Sequence, residues 1–94
     1  MQAIRFHSLA KLEINEARNR SRMVTRFVKE LEDRIELIRL ETMKFSGMLR
    51  GARQTILPRL PYSIIYMDEP TEIFIVAYSH YKKKPGYWKR RLKS

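Results

Sequence analysis

The chain has 94 residues, enough for one domain with a modest core and too few for a second. It carries twenty Lys and Arg against ten Asp and Glu, a formal charge of +10, and no cysteine, so disulfides and thiolate metal sites are excluded. No apolar run approaches the ~20 residues of a membrane span and the first residues lack a signal-peptide core, so an intracellular, cytoplasmic protein away from membranes is expected.

In chain order the pattern predicts strand, helix, helix, strand, strand, strand. Ala3 to Phe6 is a short β-like run ended by His7-Ser8. Ser8 is the expected N-cap of a first helix, in which Ala10, Ile14 and Ala17 share a face. The cap is incomplete, since Lys11 stands where a capping box wants Glu or Gln. Asn19 to Ser21 interrupts the pattern, and Ser21 is the expected cap of a second helix. Val24, Phe27, Val28, Leu31, Ile35 and Ile38 follow its i, i+3, i+4 spacing, with Arg26, Lys29 and Glu32 toward water. So short a connection implies an antiparallel hairpin.

The second helix is expected to run on toward Met43 before Ser46-Gly47 and Arg50-Gly51 punctuate the chain. Ala52 to Leu57 then reads as a strand. Pro58 and Pro61 cannot donate to a ladder, so the stretch between them should be a corner or an edge. Tyr62 to Met67 alternates as a half-covered strand does, and Asp68-Glu69-Pro70 supplies a turn. Ile73 to Tyr78 is apolar without a break and rich in Ile, Phe and Val, which favours a central strand buried on both faces.

Beyond that strand the chain becomes strongly basic. Residues 1 to 44 hold ten Lys and Arg against seven acids, residues 45 to 94 ten against three, and residues 81 to 94 seven against none. A segment of this kind is either a solvated basic surface or a site for an anionic partner: a phosphate backbone, an acidic protein segment or an anionic membrane.

The α+β order of a short N-terminal strand, an antiparallel helical hairpin and a three-stranded antiparallel unit, all in one small sheet, resembles the RelE/ParE superfamily of bacterial type II toxin-antitoxin systems. The resemblance spans residues 1–94 as a single domain and rests on three motifs. Gly51-Ala52-Arg53 is similar to the family's Gly-x-Arg strand start, and Leu60-Pro61-Tyr62-Ser63-Ile64-Ile65-Tyr66 to its Phe/Leu-Pro-Tyr-x-Ile-x-Tyr strand. Ala77-Tyr78-Ser79-His80, followed by Lys83, Pro85, Tyr87 and Trp88, is similar to its His-x-x-Arg/Lys-x-Pro-x-Tyr-Trp ending. Arg26-Phe27, Leu31 and Ile35 match the second helix more loosely.

Two chemistries follow from that resemblance. RelE-like members cleave messenger RNA on the ribosome, which would make Arg53 the cation at the pentacovalent phosphate and His80 and Tyr87 the proton-transfer groups. A histidine's ordinary pKa near ~6.5 suits either proton role, whereas tyrosine near ~10 would need cations to lower it. The plainer alternatives are a hydrogen-bonding histidine after a buried strand and an arginine that binds surface carboxylate or phosphate. ParE-like members instead poison DNA gyrase, and the ending here looks more like theirs. In that reading Lys82, Lys83, Lys84, Trp88, Lys89, Arg90 and Arg91 contact the target; in the structural one, Tyr87 and Trp88 fold the tail back over the sheet.

The expectation is therefore a growth-inhibiting toxin, directed at gyrase ahead of ribosome-dependent RNA cleavage, with a basic nucleic-acid-binding module as the third reading. It needs no cofactor or metal. The resemblance implies a cognate antitoxin in a hetero-oligomer, which should bring acidic residues and an amphipathic segment to the basic and apolar surface.

Overall fold

The computed structural model describes residues 3–40, 46–47 and 51–93. The elements are β1 (Ala3–Phe6), α1 (Ser8–Arg20), α2 (Val24–Leu40), β2 (Ser46–Gly47), β3 (Arg53–Ile56), β4 (Tyr62–Asp68) and β5 (Glu72–His80), followed by a 3-10 helix at Lys89–Lys93. One sheet takes all the strands in the order β1-β5-β4-β3-β2. β1 runs parallel to β5, and the other neighbours are antiparallel. The expected α+β architecture is present, with a fifth strand: Ser46-Gly47, expected as punctuation, pairs with Gln54 and Arg53 at the sheet edge.

The strand directions make β2 antiparallel to β1, so the two helices between them leave and re-enter the sheet at the same end, as a hairpin does. α1 lies on β5 through the small residues Ala10 and Ala17, both buried, which permit close backbone approach. α2 adds Phe27 and Ile38 to the same layer. Against these pack Ile64, Tyr66, Ile73, Ile75 and Tyr78 from the sheet and Leu57 beside it. Phe27 meets Tyr78 edge-on at 5.9 Å between ring centroids, and Tyr62 stacks on Tyr78 at 4.6 Å. Arg26, Lys29 and Glu32 face water as expected, the first two in i, i+4 pairs with Glu30 and Asp33.

Both expected caps shift by one or more residues. His7, not Ser8, caps α1: its imidazole Nδ1 accepts the Leu9 N–H at 3.1 Å, and its carbonyl accepts from Lys11. The displacement follows from the strand, because the His7 N–H still donates to the Ile75 carbonyl, so strand and helix share this residue and Ser8 falls inside the helix. Ser21 ends α1, donating its N–H to the Arg18 carbonyl, while its hydroxyl accepts from the Met23 N–H. α2 therefore begins at Val24, with Phe27 bonding back to Met23. Described helix ends at Leu40, and a continuation toward Met43 lies outside the described residues.

The His7 cap carries a pH dependence. Burial first, and then the Arg91 and Arg5 charges, lower the imidazole pKa from 6.5, and a protonated Nδ1 could not accept the Leu9 N–H. The cap's contribution is thus complete above the unfolded value and is lost as pH falls through the folded one. Between about pH 7.5 and 5 the wild type should lose more thermal stability than His7→Asn, whose amide oxygen caps without titrating. Parallel melting curves for the two proteins across that range would contradict the assignment.

Pro58 and Pro61 occupy the corner between β3 and β4, closed by a Leu57 N–H to Tyr62 carbonyl bond. The Asp68-Glu69-Pro70 turn closes with the Glu69 N–H on the Glu72 carbonyl. β5 is buried on both faces as its sequence predicts, but not by simple alternation. Ile65 pairs with Ala77 and the next residue, Tyr66, with Ile75, so Val76 is an extra residue. This bulge sends Val76 and Ala77 to the same side, where they join Ala52, Ile65, Phe74 and Trp88 in a second core on the face away from the helices.

Candidate functional site

The basic tail leaves β5 at His80 and winds back through successive turns. Lys83 N–H bonds to the His80 carbonyl, Tyr87 to Lys84, Lys89 to Gly86 and Arg91 to Trp88. Gly86 makes this possible, since its φ of +75° lies where a side chain is strained. His80 stabilises the first turn by accepting the Lys82 N–H at Nδ1, and its ring lies edge-on to Tyr62 at 5.0 Å and tilted on Tyr81 at 4.6 Å. Lys82, Lys83, Lys84, Lys89 and Arg90 are exposed. Trp88 between them is only 3% exposed, seated in the second core with Tyr87 and Leu92 against it. One aromatic thus anchors the segment while five cations project from it.

A cavity of about 360 Å³ opens between the tail and the sheet face that it only partly covers. Gln54, Ile56 and Ser63 form its sheet wall, and Tyr81, Lys84 and Trp88 line the tail side. Ile56 and Tyr81 are 66% and 69% exposed, so apolar and cationic surface lie side by side here.

Arg91 and Tyr87 are held differently from the lysines. The Arg91 guanidinium grips the Glu13 carboxylate of α1 with both Nη atoms at 2.9 Å, and Nη1 also donates to the Val76 carbonyl at 3.0 Å. Tyr87 donates its hydroxyl to Glu13 Oε2 at 2.7 Å, and the Tyr78 N–H donates to Oε1 at 3.1 Å. The ion pair is nearly enclosed, with side chains 10% and 14% exposed. Burial alone would raise the Glu13 pKa, but the bonds from Arg91, Tyr87 and the Tyr78 N–H outweigh it and hold the carboxyl below its ordinary value. Burial and the bond to Glu13 push the Tyr87 phenol up to about 12, the direction opposite to easier proton release.

The residues considered for RNA cleavage are not gathered together. Arg53 lies opposite Tyr66 of β4 and His80 opposite Tyr62. Their backbones are thus four residues apart along β4, about 13 Å at ~3.3 Å per residue, with two strand spacings of ~4.8 Å between them. Two residues beyond Arg53, the Thr55 hydroxyl accepts from Arg34 of α2, so this part of β3 turns its odd residues toward the helices. His80, Tyr87, the three lysines, Trp88, Lys89, Arg90 and Arg91 share the tail; Arg53 stands at the far end of β4.

Glu13 is the site residue that sequence reading passes over. Its signal is positional: with Ala10 and Ala17 it follows i, i+3, i+7 spacing, so an acid lies on the buried stripe of α1. Among the described residues no group of three His, Asp or Glu is arranged to hold a metal, and no helix is long and apolar enough to cross a membrane.

No family model and no curated protein matches the sequence significantly. The fold is similar to that of a solved structure, a chain of the "Chromosomal ParDE TA system from P. aeruginosa", with TM-score 0.61 and 17% identity over 85% of this chain and 96% of that one. At such identity the likeness shows a shared fold.

Proposed function

We propose that this chain is the growth-inhibiting toxin of a type II toxin-antitoxin pair, that it acts by binding, and that its target is DNA gyrase. The observation that carries the reading is the fold shared, over 85% of this chain and 96% of the other, with a chain of the ParDE system. The tail supplies the means: Lys82, Lys83, Lys84, Lys89 and Arg90 project from a segment anchored by Trp88. Such a face suits an enzyme carrying bound nucleic acid, because clustered cations gain most where phosphates and their counter-ions are dense. Ribosome-dependent RNA cleavage is the second reading. It would require the distant Arg53 and the raised Tyr87 phenol to be assembled by the ribosome, and the spacing along β4 weighs against it.

The proposed antitoxin is an acidic, amphipathic segment. It would meet a chain of +10 charge and the exposed apolar residues Leu9 and Leu12 of α1 and Met23 and Val24 at the start of α2. Induction of this chain alone in a bacterium should arrest growth, and co-expression of the acidic reading frame adjoining its gene should relieve the arrest. Purified protein should lower supercoiling by purified gyrase. Normal growth in cells that contain soluble, folded protein would refute the toxin reading; arrest with unaffected gyrase would refute only the target.

A further inference from the structure

The outer edge of β5 is only half covered by strand. β1 pairs with Glu72 to Ile75, and the His7 N–H takes the Ile75 carbonyl; from Val76 onward, among the described residues, no strand adjoins β5 on that side. Two side chains from remote parts of the sequence stand in its place. Arg91 donates to the Val76 carbonyl as a strand N–H would, and Glu13 accepts the Tyr78 N–H as a strand carbonyl would. These two then bond to each other. The tail is thereby attached to the sheet edge through one carboxylate.

We propose that Glu13 is the latch of the C-terminal tail: ionised, it locks residues 81–93 onto the edge of β5, and protonated, it releases them while the helical layer stays folded. Four donor contacts converge on the carboxylate, one each from the Tyr78 N–H and the Tyr87 hydroxyl and two from Arg91. An ionised carboxylate only accepts, so it satisfies all of them. A protonated one must itself present a donor to a ring of donors, and it leaves the Arg91 guanidinium 10% exposed with its counter-charge gone. Besides the Tyr81 N–H on the Pro61 carbonyl, where the tail leaves β5, and Arg91 on the Val76 carbonyl, the tail is held by Trp88 with Tyr87 and Leu92 in the second core, separate from the core beneath the helices. The two layers can therefore part without both failing.

The other charged and titratable groups around Glu13 set the conditions. Glu16 and Arg20 of α1, Tyr62 of β4, His80 of β5 and Lys83 of the tail line the small cleft beside it with Tyr78. His7 and Arg5 lie on the β1 side, Arg5 in ion pairs with Glu69 and Glu72. Burial opposes ionisation of Glu13, but the bonds from Arg91, Tyr87 and the Tyr78 N–H and the Arg91 charge outweigh it and oppose its protonation, so the carboxyl is held below its ordinary value. The latch is therefore closed at neutrality and opens in acid, or whenever Arg91 is drawn away by a competing carboxylate. Opening bares the Val76 carbonyl and the Tyr78 N–H, an unpaired strand edge open to strand addition.

The test uses the full chain and its single tryptophan, Trp88. In wild type, acrylamide quenching of Trp88 should rise severalfold in an acid transition centred below 4.5, the ordinary glutamate value. Far-UV circular dichroism should hold its helical signal through that transition, and exchange of the Tyr78 amide should accelerate with it. Glu13→Gln should show the open signature already at neutral pH, with the acid transition gone. Tyr87→Phe removes one donor to the ionised form, so its transition should move to higher pH. This variant decides the matter if Glu13→Gln does not fold. A shielded Trp88 in Glu13→Gln with the wild-type acid transition would overturn the latch. So would simultaneous loss of Trp88 shielding and helical signal at one pH, unmoved in Tyr87→Phe. The inference does not depend on the toxin reading, since none of these measurements involves a target.

Discussion

Trp88→Ala is expected to lower stability by ~3–5 kcal/mol, the loss typical of truncating a buried tryptophan. The indole is 3% exposed and is the largest side chain of the second core, where its neighbours Ala52, Val76 and Ala77 are too small to close the gap. A 94-residue domain at ~0.05–0.15 kcal/mol per residue has ~5–14 kcal/mol in all, so this substitution removes a large share of the total. Urea unfolding should show it as a midpoint lower by ~2–3 M for a slope near ~1.5 kcal/mol per M. Trp88→Phe should recover much of the loss, because a ring still fills the site. An alanine variant with the wild-type midpoint would mean that the tail rests on the sheet without packing into it.

The contrast between Trp88 and its charged neighbours marks what the sequence discloses. Aromatic and apolar residues reveal their destination, because water rejects them wherever they lie. The unbroken run from Ile73 to Tyr78, the alternation of Tyr62, Ile64 and Tyr66, and the helical spacing of Phe27, Leu31, Ile35 and Ile38 each identified an element and what it buries. Inside that run the bulge at Val76 was hidden, since a strand apolar on both sides gives no alternation to be shifted. Ser46-Gly47 is too short to carry any period and forms a strand only because β3 offers it an edge.

Charged residues give no comparable sign. Lys82, Lys83 and Lys84 project into water while Arg91, in the same basic segment, closes on Glu13 78 positions earlier. Nothing local separates the two fates. The long-range pairing arises from the parallel β1–β5 arrangement, which lays α1 over β5 and brings its acidic position beside the returning tail. His7 is a similar case: a histidine between a strand and a helix becomes the cap because the preceding ladder still holds its N–H. Arg53 shows the limit of motif reading, since its register on β4, fixed by pairing and not by the Gly-x-Arg pattern, sets its distance from His80.

Replacing Lys82, Lys83 and Lys84 together by Gln should separate folding from target binding. All three are exposed, and their ammonium groups take no part in the hydrogen bonds that wind the tail, which come from the backbone, so the urea midpoint should stay at the wild-type value. If the segment meets nucleic acid held by the target, each cation removed leaves one phosphate without its partner. The slope of log affinity against log salt should then become shallower by ~0.9 for each such phosphate, ~2.7 for three. The concentration needed for half-inhibition of gyrase supercoiling should rise tenfold or more at low salt. Arg53→Ala should leave that concentration unchanged, because binding needs no phosphorane-stabilising cation. On a nuclease the pattern inverts. Arg53→Ala would remove oxyanion stabilisation of ~3–4 kcal/mol, and His80→Ala a proton-transfer group worth ~10²–10⁴ in rate. Wild-type protein on translating ribosomes would then yield cut messenger that either variant abolishes. Messenger cut in this way, with gyrase untouched by the wild type, would replace the binding mechanism with the catalytic one and reassign the lysines as holders of RNA.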